Sequence, residues 1–275
     1  VSVTVLGLAG SCRRGGNTET LLDWCLAGAR EAGAVVVKIS LCDLDIHGCR
    51  ACDACRKDGV CIQKDDMTGL YPHLREADSI VMAAPTYFHG MPAIPKMVID
   101  RCQPFWALKY VLGQPIARPG SPERRGAFLS CSGTTFSHAF DGSRNVMKSL
   151  WHTLDVVPAG EVLCPGVDAK GDINEQTGAR VAAEQIGRHL GSDRPPTGRK
   201  AGEAEVKTCI NCGKPLVDRV EEVERTGTGG SRSTGECSTY RVWFCANSDC
   251  VMYRTDMYRE AMADDADRAS GRTSP

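Results

Sequence analysis

Val3-Thr4-Val5-Leu6-Gly7-Leu8-Ala9-Gly10-Ser11-Cys12-Arg13-Arg14-Gly15-Gly16-Asn17-Thr18 is the stretch on which the fold turns. Val3 to Leu8 is a short apolar run with β-branched residues and predicts a strand. Glycines follow it. Thr18 to Ala32 then places Leu21, Leu22, Cys25, Leu26 and Ala29 on one helical face. The stretch therefore reads as strand, glycine-rich turn and helix start. Glycines let the backbone turn sharply and approach a ligand closely. A helix start adds free N–H groups and the positive end of the helix dipole, a setting for an anion.

Ser11, Asn17 and Thr18 add neutral donors to this loop, Gly16 adds room and Arg13 adds charge. The Gly-Lys-Ser/Thr ending of a nucleoside-triphosphate loop is missing, and so is the Gly-x-Gly-x-x-Gly spacing of a dinucleotide fold. A monophosphate such as that of FMN fits better, the other reading being a glycine-rich turn with nothing bound.

Working outward, strand and helix alternate to about residue 190. Strands are predicted over 34–41, 79–84, 126–131 and 156–163, and helices over 67–76, 142–154 and 174–190, with another opening at Pro92 and Pro95 and ending near Cys102. Asp66 is the predicted cap of the helix from Met67. The pattern implies an α/β fold, a five-stranded parallel sheet with helices on both faces. Such sheets bind ligands beyond the carboxyl ends of their strands, which directs attention to the loops after strands one, three and four. The third strand leads into Pro85-Thr86-Tyr87-Phe88. Tyr87 and Phe88 can either wall a flavin ring or fill a core. After strand four, Ser132, Gly133 and Thr134 are placed to line the pyrimidine side of a flavin.

The 275 residues suit one medium domain plus a small one. With 33 basic and 34 acidic residues the formal charge is −1, which points to neither nucleic acid nor a membrane surface. No apolar run is long enough to span a bilayer, and the N-terminus reads as a strand rather than a signal peptide, so a cytoplasmic protein is expected. Cysteine is the strong signal: fifteen in all, four between Cys49 and Cys61 and five between Cys209 and Cys250. Clusters of this kind in a reducing compartment point to metal rather than disulfides. Cys49, Cys52, Cys55 and Cys61 follow the spacing C-x2-C-x2-C-x5-C, which can wrap a [4Fe-4S] cluster; zinc and free thiols are the alternatives. Cys25, Cys42, Cys102, Cys131 and Cys164 fall on apolar positions and read as inert core thiols.

Ser11-Cys12-Arg13-Arg14-Gly15-Gly16-Asn17-Thr18 resembles the Ser-Pro-Arg-x-Gly-Gly-Asn-Thr loop of the NADPH-dependent FMN reductase and iron–sulfur flavoprotein families, with Cys12 in place of proline. Pro85 to Phe88, Lys96-Met97-Val98-Ile99-Asp100-Arg101, the four-cysteine spacing and Lys64-Asp65-Asp66-Met67 resemble the same families. The resemblance implies a flavodoxin-like domain, with FMN phosphate held by Ser11, Arg13, Asn17 and Thr18 and the segment from Pro85 to Phe88 lying along the flavin ring. It also implies a [4Fe-4S] cluster on the four cysteines, a homo-oligomer (dimer or tetramer) and electron exchange with ferredoxin or another carrier. The leading expectation is thus an FMN-dependent oxidoreductase that passes electrons between cluster and flavin. An NAD(P)H-dependent FMN or quinone reductase is the second. A redox-responsive regulator is the third.

Residues 192–205 read as a linker and 206–258 as a small module. Cys209, Cys212, Cys245 and Cys250 would hold a structural zinc, the alternative being a rubredoxin-like iron, with Cys237 spare. The module resembles the four-cysteine zinc modules of type I topoisomerases, but its mixed charge does not support nucleic-acid binding. Thr226 to Gly235 reads as a flexible loop. The tail from Arg259 to Pro275 is expected to begin as helix and end in polar, disordered sequence.

Overall fold

A computed structural model describes residues 2–117 and 121–193, and the backbone of 217–226, 233–244 and 256–261. The chain divides into two compact units, Val1–Gly202 and Glu203–Pro275.

The first unit is a parallel sheet in the order β2-β1-β3-β4-β5. Its strands are β1 (Thr4–Ala9), β2 (Val35–Ser40), β3 (Ser79–Ala83), β4 (Arg125–Ser132) and β5 (Val157–Pro165). β1 lies between β2 and β3, with Leu6 opposite Val37 on one side and Ile80 on the other. β1, β3 and β4 are buried almost throughout, as expected of strands covered on both faces, whereas the edge strand β2 is only partly buried.

Helices α1 (Asn17–Glu31) and α7 (Thr177–Gly191) cover one face, and α3 (Met67–Glu76), α4 (Ala93–Asp100), α5 (Gln103–Tyr110) and α6 (Asp141–Thr153) the other. A four-residue helix, α2 (Cys55–Asp58), sits inside the cysteine segment. On the α3–α6 face, Leu6, Leu8, Ile80, Met82 and Phe128 of the sheet join Leu70, Leu74, Val98, Phe105, Leu150 and Trp151 of the helices in one buried cluster. On the other face α1 and α7 touch backbone to backbone. A Cβ at Gly187 would fall 1.8 Å from the Cys25 carbonyl oxygen, and one at Gly28 2.1 Å from that of Glu184. Only glycine allows that approach. Among the described residues no helix is long and apolar enough to cross a membrane.

In the second unit β6 (Val217–Thr226), β7 (Ser233–Phe244) and β8 (Asp256–Ala261) form an antiparallel sheet in that order. Arg259 to Ala261 is therefore strand where helix was expected, and Thr226 and Ser233 to Gly235 belong to strands rather than to a loop. Cys209, Cys212, Cys245 and Cys250 lie outside the described residues.

Candidate functional site

The loops after β1, β3 and β4 converge at the carboxyl edge of the sheet, on either side of the point between β1 and β3 where the strand order reverses. The chain turns at Gly10, whose N–H donates to the Ala83 carbonyl at 2.7 Å and whose missing Cβ leaves room for Pro95. Gly15 takes a left-handed φ of +59°, and a Cβ on Gly16 would lie 2.7 Å from the Arg13 carbonyl oxygen. Ser11, Asn17 and Thr18 are buried, and Arg13 is exposed. The first helical N–H bond of α1 is Thr20 to Gly16, so the N–H groups of Asn17, Thr18 and Glu19 have no intrahelical partner and face the loop. That is a cradle for an anion.

Side chains of the loop also take tasks that sequence reasoning did not assign. Asn17 donates to the Ala169 carbonyl (2.8 Å) and accepts from the Gly171 N–H (2.9 Å). Arg13 donates to the Asp168 carbonyl at 2.8 Å. The loop is thus fastened to the segment after β5, which no sequence signal picked out. That segment also brings a cation: Lys170 Nζ donates to the Arg14 carbonyl at 2.9 Å and packs against Gly15.

The sharpest correction concerns Cys42. It is no inert core thiol: it forms a disulfide with Cys12. Among the described residues this is the one disulfide; Cys49, Cys52, Cys55 and Cys61 are free thiols. Cys25 and Cys102 are buried free thiols, and burial pushes each up to about 12, keeping it protonated.

After β3, Thr86 is held by its N–H on the Cys131 carbonyl (2.9 Å) and its hydroxyl on Ser130 (3.1 Å). Tyr87 and Gly90 then exchange backbone hydrogen bonds across a tight turn whose two central residues, Phe88 and His89, both have positive φ, +50° and +58°. Non-glycine residues there cost about 1–3 kcal/mol each, a strain that collects at functional sites. Phe88 is fully exposed and Tyr87 58 % exposed, so neither fills the core. Phe136, after β4, stacks on His138, whose ring lies 5.3 Å from that of His89. These side chains form an open aromatic face beside the turn. Ser132 is buried and Gly133 exposed, with Thr134 between them in exposure; the Ser132 and Thr134 carbonyls accept from Val167 and Gly166.

The cysteine segment is built as a loop closed at its base. Asp45 N–H donates to the Asp66 carboxylate (2.8 Å), and Asp66 N–H returns to the Asp45 carbonyl (3.1 Å). Asp66 is therefore occupied, and Asp65 supplies the contact to the Met67 N–H that starts α3. Asp65 also accepts from His47 N–H and from Arg101, with both side chains of the Arg101–Asp65 pair only 1 % exposed. Held this way, the Asp65 carboxyl is lowered to about 2: burial opposes the shift, but the bonds to Arg101, His47 and Met67 overcome it.

Within the loop, Ala51 and Asp53 adopt φ of +49° and +57° between the first three cysteines. All four cysteines line one cavity of about 230 Å³ together with Arg101. Cys55 is raised by burial and by the three neighbouring thiols. Partial burial also works against ionisation of Cys61. The Gln63 N–H, Tyr71 and Arg101 nevertheless bring it below the ordinary thiol range, Arg101 Nη2 standing 3.5 Å from its sulfur. Among the described residues no three candidate ligands close on a single ion. A cluster presents four iron corners rather than one, so thiols spread around a cavity suit it better than they suit zinc. The cavity, the free thiols and the buried cation beside them fit an anionic thiolate-bound cluster.

A family model for NADPH-dependent FMN reductases matches residues 3–163. An iron–sulfur flavoprotein of Methanocaldococcus jannaschii is 37 % identical over 100 residues, 36 % of this chain and 52 % of that protein. An iron–sulfur flavoprotein of Methanosarcina thermophila is 34 % identical over 121 residues, 42 % of this chain and 63 % of that one. The chain thus spans between half and two thirds of the length of these relatives. A solved flavone reductase shares the fold, with a TM-score of 0.53 at 20 % identity over 85 % of this chain and 81 % of its own. Because the family model covers more than half of its residues, the chain belongs to the NADPH-dependent FMN reductase family.

Proposed function

We propose that the chain is an FMN-dependent oxidoreductase that exchanges electrons between a [4Fe-4S] cluster on Cys49, Cys52, Cys55 and Cys61 and an FMN bound at the carboxyl edge of the sheet. One observation carries this reading: four free thiols line a single cavity on a chain of an FMN reductase family. When bound, the two groups supply the redox chemistry, the cluster in single electrons and the flavin in one or two. The chain's own work is binding and tuning. The N–H groups of Asn17 and Thr18 receive the phosphate, with Ser11 and Gly16 shaping the loop, while Arg13 and Lys170 add positive charge. Pro85, Thr86, Tyr87 and Phe88 offer the ring an aromatic wall on a rigid turn, and Ser132, Gly133 and Thr134 border its far side. Arg101 sets a buried positive charge beside Cys61.

Val60 and Ile62, 59 % and 62 % exposed, put apolar surface beside the cysteines. That surface suits a second copy of the chain or an electron carrier such as ferredoxin, so a homo-oligomer is part of the proposal. A cytoplasmic setting, which keeps Cys49, Cys52, Cys55 and Cys61 reduced, is another part. For Cys209, Cys212, Cys245 and Cys250 the companion proposal is a structural zinc in a separate module over 206–258, resting on the C-x2-C and C-x4-C spacing.

Anaerobic purification followed by iron, sulfide, zinc and FMN analysis tests these points together. About four iron, one zinc and one FMN per chain are expected. Iron-free protein after anaerobic reconstitution would sink the cluster and leave an NAD(P)H-dependent FMN or quinone reductase, which steady-state NADPH oxidation would reveal.

A further inference from the structure

The phosphate loop is held from two sides, and the two sides differ in kind. Toward β5 the tethers are hydrogen bonds: Arg13 to Asp168, Asn17 to Ala169 and Gly171, Lys170 to Arg14. Toward β2 the tether is covalent. Cys12, between Ser11 and Arg13, is joined to Cys42 in the single 3₁₀ turn Leu41–Asp43 that ends β2. Two other described contacts reach that side: the exposed ion pair of Arg14 with Asp43, of a kind worth little on its own, and the Glu19 carboxylate, which accepts from the Gly15 N–H and from Lys38 of β2. Breaking the disulfide therefore removes the covalent hold on the β2 side of the loop and leaves only these. Cys12 is exposed and Cys42 half-buried, within reach of small thiols.

We propose that the Cys12–Cys42 disulfide is a reversible clamp on the phosphate loop, and that FMN binds the clamped form more tightly than the dithiol form. The inference rests on reading residues 10–18 as the FMN phosphate site. An anion held by backbone N–H groups needs them aimed before it arrives, and a cross-link that restricts the loop lowers the cost of ordering it on binding. The exchange is simple in atoms and electrons. A low-molecular-weight thiolate attacks the Cys12 sulfur, the Cys12–Cys42 bond breaks, and Cys42 leaves as a thiolate and takes a proton. A second thiolate then attacks the sulfur of the first, the bond to Cys12 breaks, a low-molecular-weight disulfide departs, and Cys12 leaves as a thiolate and takes the second proton. Two electrons and two protons pass to the protein, and a low-molecular-weight disulfide reverses the sequence. In a reducing compartment the clamp opens and in an oxidising one it closes, so flavin loading follows the thiol balance. Linkage makes the effect reciprocal: bound FMN must resist reduction of the disulfide by the same factor.

The test uses the full-length protein stripped of flavin and titrated with FMN by fluorescence quenching. It compares the air-oxidised form, the form reduced by a phosphine, and the C12S/C42S double variant. Reduction and the double substitution should each weaken FMN binding about tenfold, and the phosphine should do nothing further to the double variant. In a thiol–disulfide redox buffer, saturating FMN should lower the reduction potential of the pair by about 30 mV, the equivalent of that tenfold change for a two-electron couple. Affinities equal within twofold across the three forms would overturn the clamp alone, as would free Cys12 and Cys42 thiols in the oxidised protein by mass spectrometry. FMN binding by none of the forms would overturn the phosphate-site reading and the clamp with it.

Discussion

Replacing Asp65 with Asn keeps the shape of the side chain and removes the charge that faces Arg101. Both side chains are 1 % exposed, and Arg101 Nη2 reaches Asp65 Oδ1 at 3.1 Å. A carboxylate lowered from 3.8 to about 2 corresponds to folding free energy on the order of 2–3 kcal/mol. Removing one partner of a buried pair costs about 3–5 kcal/mol, because the remaining charge is left uncompensated. Arg101 keeps the His47 carbonyl at 2.8 Å and the Cys61 sulfur at 3.5 Å, neither of which is a carboxylate, and its Nε already lacks a hydrogen-bond partner. We expect Asp65→Asn to lose about 3 kcal/mol at pH 7, a fall in Tm of roughly 6–12 °C for a unit of this size. The pH dependence has a fixed sign. A lowered carboxyl stabilises fully above its unfolded value and stops doing so as pH falls through its folded value. Wild type and variant should therefore differ most above about pH 5 and converge toward pH 2. Thermal and urea unfolding of the full chain, followed by near-UV circular dichroism between pH 2 and 7, measures both. A variant within about 0.5 kcal/mol of wild type at pH 7, or a gap that does not narrow in acid, would refute the clamping role of the pair.

Gly187→Ala should cost more than the about 1–3 kcal/mol of ordinary overpacking, because the new Cβ meets the Cys25 backbone at 1.8 Å; urea unfolding reads this, and a neutral result would mean that α1 and α7 stand farther apart. Phe88→Ala should leave stability within about 0.5 kcal/mol, since the ring is fully exposed, yet weaken FMN binding, and unchanged FMN affinity would remove Phe88 from the flavin wall. Lys170→Met should lower FMN affinity about tenfold, a charge-assisted contact being worth about 1.5–3 kcal/mol, and leave riboflavin affinity alone; equal losses for the two flavins would show that Lys170 acts on the loop rather than on a phosphate.

Local signals carried much of the fold. α3 runs over Met67–Glu76 as its apolar spacing predicts, and the five strands fall within two residues of their expected ends. α5 was hidden because Gln103–Tyr110 follows α4 with only two residues between, although Pro104 marks a helix start. The turn at the glycine loop and the gathering of four cysteines on one cavity were legible because backbone permissiveness and close spacing are properties of single residues and short stretches. What was not legible depends on which strands are neighbours. Ala9 and Ser40 are paired at the ends of β1 and β2, and Cys12 and Cys42 follow them by three and two residues. Only that register turns two separate cysteines into a pair. The same holds for Asp65 and Arg101, 36 residues apart, and for the approach of His89 and Phe136 to His138. Asp66 misled for a different reason: it carries a capping residue type, but Asp45 already occupies it.

The reciprocal hydrogen bonds between Asp45 and Asp66 bear on how such a chain can evolve. They bring the ends of the cysteine segment together at one place, with Leu41 and Met67 buried in the core on either side. Ile46 and Asp65, just inside the neck, stay tied to the core and to Arg101, and Gly48 to Lys64 is an insert carried on it. Lengthening an insert of this kind is cheap, since doubling a loop costs only about 0.6 kcal/mol in closure entropy. Cysteines can be gained, respaced or lost there without moving a strand, so the sheet and the cysteine segment are free to change at different rates.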